Sequence, residues 1–153
     1  MKVCHLILIL LCTFVSSNNI NIMEEINKEE YNVLTHGIIG AAMEVHKLMG
    51  PGLLEGVYEE CLAEELTQRG LKVERQVSLP IVYKGKLVGH PLVIDMLVED
   101  CIIVELKAVN ELLDIYSAQL LSYLRLSKLK LGLLINFNSV RLLDGVKRIV
   151  NGF

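Results

Sequence analysis

Ile94-Asp95-Met96-Leu97-Val98-Glu99-Asp100-Cys101-Ile102-Ile103-Val104-Glu105-Leu106-Lys107 is the stretch whose reading decides the fold. Its second half, Ile102 to Ala108, is a near-continuous apolar run rich in Ile and Val, the pattern of a strand buried on both faces. Glu105 and Lys107 interrupt it two residues apart, so both point to one side of the sheet. A buried charge is expensive unless it is paired or binds a metal. Glu99-Asp100 form an acidic turn, and a three-residue hairpin loop centred on Asp100 places Asp95 directly opposite Glu105. Two facing carboxylates repel unless one is protonated or a cation lies between them. A hard divalent ion takes such oxygens and keeps waters for chemistry. The competing reading is a salt-bridged Glu–Lys pair on an exposed strand face, and these three residues alone do not separate the two.

The pattern Asp95-x₉-Glu105-x-Lys107 resembles the core of the PD-(D/E)XK nuclease superfamily. The resemblance implies that the acidic pair holds Mg²⁺ or Mn²⁺, with the Leu106 carbonyl as a candidate further ligand. It also implies that Lys107 orients or deprotonates the attacking water.

The rest of the chain bears on that resemblance. Its 153 residues, 52% hydrophobic and 22% charged, make one globular domain with a sizeable core and argue against disorder. A net charge of −3 gives no overall basic character. Basic residues do cluster, in Gln68–His90 and again after Arg125, where solvated charge is the simpler reading of any one of them. Cysteines at 4, 12, 61 and 101 show no C-x-x-C spacing, so neither a zinc framework nor a disulfide scaffold is expected. Residues 1–22 read as a signal-like leader, with Lys2 before the apolar run Leu6–Val15, or as an over-extended start. Met23 opens a natural-looking cytosolic beginning, so a single domain over 23–153 in the cytoplasm is expected, with export the alternative if the leader is real.

Along the chain, Leu34, Ile38, Ala41, Val45 and Leu48 predict a helix over about 32–49 that ends at Gly50-Pro51-Gly52. His36 and His46 on it read as structural. A second helix is predicted over about 53–69, with a core stripe of Leu54, Val57, Tyr58, Cys61, Leu62 and Leu66. Its opening, Gly52-x-x-Glu55-x-x-Tyr58, matches the signature of the GxxExxY proteins, a small bacterial and archaeal family within the same superfamily. Glu55 alone would be a carboxylate favouring a helix N-terminus. The resemblance instead turns it into the site, as a further metal or water contact.

Strands are predicted over 73–82 and 86–97, joined by Tyr83-Lys84-Gly85, with Pro80 and Pro91 marking edges or bulges. A third helix, about 114–126, aligns Tyr116, Gln119 and Tyr123 on one stripe. Gln119-x-x-x-Tyr123 matches a motif of an exonuclease-rich branch, which implies that both line the site near metal and nucleic-acid backbone. Where relatives carry His-x-Ala-Gln this chain reads Tyr116-Ser117-Ala118-Gln119, which puts any phosphate contact by that histidine in doubt here. A buried strand over 129–136 and an edge strand or hairpin over 141–150 complete the chain.

The expected fold is therefore α/β: a restriction-endonuclease-like αβββαβ core, a central mixed sheet flanked by helices, and one extra N-terminal helix. The expected function is a Mg²⁺-dependent nuclease acting on nucleic acid, DNA before RNA, with no membrane partner and a homodimer as an option. Asp95, Glu105 and Glu55 are the expected metal residues; Lys107, Glu55, Gln119 and Tyr123 are the expected catalytic ones. The alternative is a catalytically silent module of the same fold that binds nucleic acid or a protein.

Overall fold

The computed structural model describes residues 26–152; the leader over 1–22 and the Met23 start lie outside the described residues. Helix α1, Lys28–Met49, starts earlier than the apolar spacing predicts because Asn27 and Glu30 form a capping box. The Asn27 side chain accepts from the Glu29 and Glu30 amides, and Glu30 accepts from the Asn27 amide at 2.8 Å. Ile38, Ala41, Ala42 and Val45 face the core, whereas Leu48, expected in the stripe, is 71% exposed. Gly50 and Gly52 end the helix with φ of 69° and 99°, values a side chain resists. Helix α2, Glu55–Gln68, follows at once and buries Tyr58, Glu59, Leu62, Ala63 and Leu66. Leu54 and Val57, placed in its core stripe by spacing, lie exposed instead.

The sheet has the order β1-β4-β5-β6-β7: Val73–Leu79, Leu92–Val98, Ile102–Lys107, Leu131–Asn136 and Val146–Val150. Only β5 and β6 are parallel, so the sheet is mixed, as expected. The two long strands predicted over 73–82 and 86–97 are each cut. Pro80 and Pro91 stand just outside β1 and β4, where a residue without an N–H ends the ladder. Between them β2, Val82–Tyr83, and β3, Lys86–Leu87, form a separate two-stranded ribbon turning at Lys84-Gly85. Helix α3, Asp114–Ser127, carries the chain from β5 across to β6. At the C-terminal end a 3₁₀ turn, Leu142–Gly145, leads into β7, the edge-strand option for this segment.

Two apolar layers sandwich the sheet. Met96, Val98, Val104 and Leu106 pack with α1 and α2, while Ile103 and Leu134 pack with Leu120, Tyr123 and Leu124 of α3. The αβββαβ order is traced by α2, β1, β4, β5, α3 and β6, with α1 in front and β7 added. β5 lies at the centre, and it brings Glu105 and Lys107 with it.

Candidate active site

The β4–β5 hairpin turns as its sequence predicts. Val98 accepts from the Cys101 amide at 3.1 Å, and Glu99 and Asp100 are both left-handed, with φ of 51° and 57°. Pairing then runs from Val98↔Ile102 through Leu97↔Ile103 to Met96↔Val104, and stops. Asp95 and Glu105, expected directly opposite one another, fall one step beyond the ladder. The cause is a break in side-chain alternation. Ile94 packs on the α3 side and Met96 on the α1–α2 side, although residues two apart in a regular strand share a face. β1 breaks at the facing position: Gln76, between the pairs Arg75↔Met96 and Val77↔Ile94, has φ of 52°. Past Met96 the carboxylate of Asp95 supplies the acceptor that the ladder no longer gives, with Oδ2 taking the Leu106 amide at 2.8 Å.

Glu105 is 3% exposed, so its pairing with Lys107 is not the surface ion pair of the simpler reading. Oε1 accepts from Lys107 Nζ at 2.9 Å, and the same ammonium donates to the Leu106 carbonyl at 2.8 Å. Oε2 is buried and has no hydrogen-bond partner among the described residues. Burial, then the neighbouring charges of Asp95 and Glu55, push the Glu105 carboxyl up to about 7 against the pull of Lys107. Asp95 is also raised, chiefly by burial, against the Leu106 amide and Lys107. Glu55 rises for the same first reason, with Asp95 and Glu59 adding to it while Lys107 and the Ala108 backbone oppose. Burial pulls the Lys107 ammonium down, but Glu105, Glu55 and Asp95 outweigh it and hold it above its ordinary value. Three carboxylates thus share one lysine, and among the described residues no second cation bears on them.

Helix α2 delivers Glu55 in its first turn, and one turn later a residue that spacing did not single out. Glu59 is buried and takes Arg75 Nε and Gln76 Nε2, each at 2.8 Å. Consecutive strand residues should point to opposite faces. Both reach Glu59 here because the left-handed turn at Gln76 breaks that alternation. Glu59 thereby anchors the break beside Asp95; its i, i+4 relation to Glu55 was the only signal in the sequence. Helix α3 does present the expected stripe, and Gln119 Nε2 donates to the Tyr123 hydroxyl at 2.8 Å. Among the described residues neither bonds to Asp95, Glu105 or Glu55. The link from α3 is Tyr116, whose ring centroid lies 5.7 Å from Lys107 Nζ, so an aromatic face meets the lysine. Asn136, opposite Lys107 in the parallel ladder, also escaped the sequence reading. Its side chain bonds both the amide and the carbonyl of Val109 and so fixes the exit of β5.

A family model for the PD-(D/E)XK nuclease superfamily matches residues 32–149, and the chain belongs to that superfamily. No curated protein and no solved structure matches it. No helix among the described residues is long and apolar enough to cross a membrane.

Members of the superfamily generally depend on a divalent metal. Among the described residues no three Asp, Glu, His or Cys side chains converge as a preformed cage. Mg²⁺ does not require one, because it usually binds through one or two carboxylates and completes its shell with water and phosphate oxygens. The unpartnered Glu105 Oε2, the nearby Asp95 and the surplus negative charge fit such an ion.

Proposed function

We propose that this chain is a Mg²⁺- or Mn²⁺-dependent nuclease of the GxxExxY group, hydrolysing phosphodiester bonds in nucleic acid, DNA before RNA, in the cytoplasm. The observation that carries the reading is the buried oxygen of Glu105 that no group among the described residues satisfies, set among more carboxylates than cations. A buried acceptor left unmade costs about 1–3 kcal/mol, and more for a charged group, so packing alone gives no reason to keep it.

Asp95 and Glu105 would hold the ion, with Glu55 contributing from α2. When bound, the cation polarises the phosphate and lowers the pKa of water. Lys107 uses two of its three donors on Glu105 and Leu106, which leaves one for the attacking water or a phosphate oxygen. With its ammonium donating to Glu105 and Leu106, Lys107 serves as a donor that orients the water. Glu55, in the first turn of α2, would contact the ion or a water bound to it. From α3, Gln119 would turn its amide toward the nucleic-acid backbone, and the buried Tyr123 would hold that amide through its hydroxyl. A homodimer would supply two such sites, one for each strand of a duplex.

Calorimetric titration with Mg²⁺ and Mn²⁺, with and without oligonucleotide, tests the reading. Binding by the wild type that is lost in Asp95→Asn, together with cleavage that is lost in Lys107→Ala, supports it. Metal-independent binding of nucleic acid that survives Lys107→Ala, without cleavage, would identify a silent module instead. No metal binding even with DNA or RNA present overturns the reading.

A further inference from the structure

We propose that Tyr58 is a positioning residue of the site. Its hydroxyl closes the bend before α2, and its ring seats that bend on the strand ends, so that Glu55 and the Lys107 end of β5 are held in register. The inference rests on the reading of Glu55 as a site residue and extends it to what keeps Glu55 there.

Helix α2 begins without a side-chain cap: Leu54 is at the N-cap and its side chain can accept nothing from the free amides of the first turn. The bend that feeds it runs through Gly50 and Gly52, the left-handed residues at the end of α1. A turn so rich in glycine has high conformational freedom and needs fastening. Tyr58 fastens it from one turn inside the helix. Its hydroxyl donates to the Gly50 carbonyl at 2.6 Å and accepts from the Leu53 amide at 3.0 Å, spanning the bend. The ring is wholly buried and stacks on Phe137, centroids 4.5 Å apart and planes 11° from parallel. Phe137 in turn donates its amide to the Lys107 carbonyl at 2.8 Å. One side chain therefore ties the residues just before Glu55 to the strand end that carries Lys107.

The same geometry excludes direct participation. The hydroxyl has one proton, already given to Gly50, and no part of the side chain is open to a substrate. Tyr58 acts through Glu55.

Tyr58→Phe removes the hydroxyl and keeps the stack; Phe137→Leu loosens the stack and keeps the hydroxyl. In each, kcat for nucleic-acid cleavage is expected to fall by about tenfold with KM unchanged, the scale of one lost hydrogen bond's hold on a site group. In Tyr58→Phe the Leu53 amide is expected to exchange with solvent about tenfold faster. Combined with Glu55→Gln, Tyr58→Phe should cost no further kcat, because there is no longer a carboxylate to position. An unchanged kcat in Tyr58→Phe, or losses that multiply in the double variant, overturns the proposal. If the wild type cleaves nothing, the nuclease reading fails by itself, and the positioning role is decided by the Glu55 side-chain carboxyl resonance. A shifted or broadened resonance in Tyr58→Phe upholds it, and an unchanged one overturns it.

Discussion

Replacing Glu105 with Gln should stabilise the metal-free protein at pH 8 and change it little at pH 5. The carboxyl sits at about 7 in the folded chain against an ordinary value of 4.5. It therefore holds its proton more tightly folded than unfolded. That preference favours folding in full below pH 4.5 and is lost as the pH rises through 7. At 1.36 kcal/mol per unit, the whole loss is about 3 kcal/mol, most of it between pH 5 and 8. Glutamine has the same shape and no charge to desolvate, so it escapes the loss. Asp95 and Glu55 are shifted in the same direction, but they are present in both proteins and largely cancel in the comparison. Urea unfolding followed by circular dichroism, in chelator at unit steps from pH 5 to 8, measures the difference. The advantage of Glu105→Gln should grow with pH toward that value. Stability curves that stay parallel across the window would refute the reasoning, since they would mean that Glu105 titrates alike folded and unfolded. Added Mg²⁺ should restore the wild type at pH 8 and leave Glu105→Gln unmoved.

Other substitutions probe the elements around it. Asp95→Asn keeps an acceptor for the Leu106 amide and should fold normally, whereas Asp95→Ala strands that amide and should lose about 1–3 kcal/mol by urea unfolding. Glu59→Ala removes both anchors of the β1 break and should destabilise by about 2 kcal/mol. Adding Gln76→Gly to it should return about 1 kcal/mol, because glycine accepts the left-handed backbone; no recovery would show that the break stores no strain. A Cβ on Gly132 would lie 2.8 Å from the Leu120 side chain, so Gly132→Ala should cost about 1–3 kcal/mol and lower the melting temperature measurably.

Much of the fold is legible in local pattern. β5 announces itself because a central strand, covered by helices on both faces, must be apolar at nearly every position. The Glu99-Asp100 turn is legible because its loop length fixes the phase of the two strands it joins. Glu105 and Lys107 stand out as charges where burial forbids idle ones. Helix α1 could have been started correctly, since Asn27-x-x-Glu30 is a capping box in plain sight. Leu48, Leu54 and Val57 mislead for a different reason. Periodicity marks an apolar face of a helix, but not how far along its axis the neighbouring layer extends.

The sequence by itself determined the order of elements, the central strand and the residues available for chemistry. Those follow from short-range rules: the period of burial, turn length, and the cost of hiding a charge. The tertiary structure alone decided that the β4–β5 ladder stops at Met96, that Asp95 turns to the Leu106 amide, and that Glu59 grips Arg75 and Gln76 together. It likewise decided that Tyr58 and Phe137 stack across an interval of the chain far longer than any helical or strand repeat. A break in strand alternation has no periodic signature, because it arises where a helix carboxylate, two strand residues and a left-handed backbone satisfy one another. Only the folded chain brings those partners together.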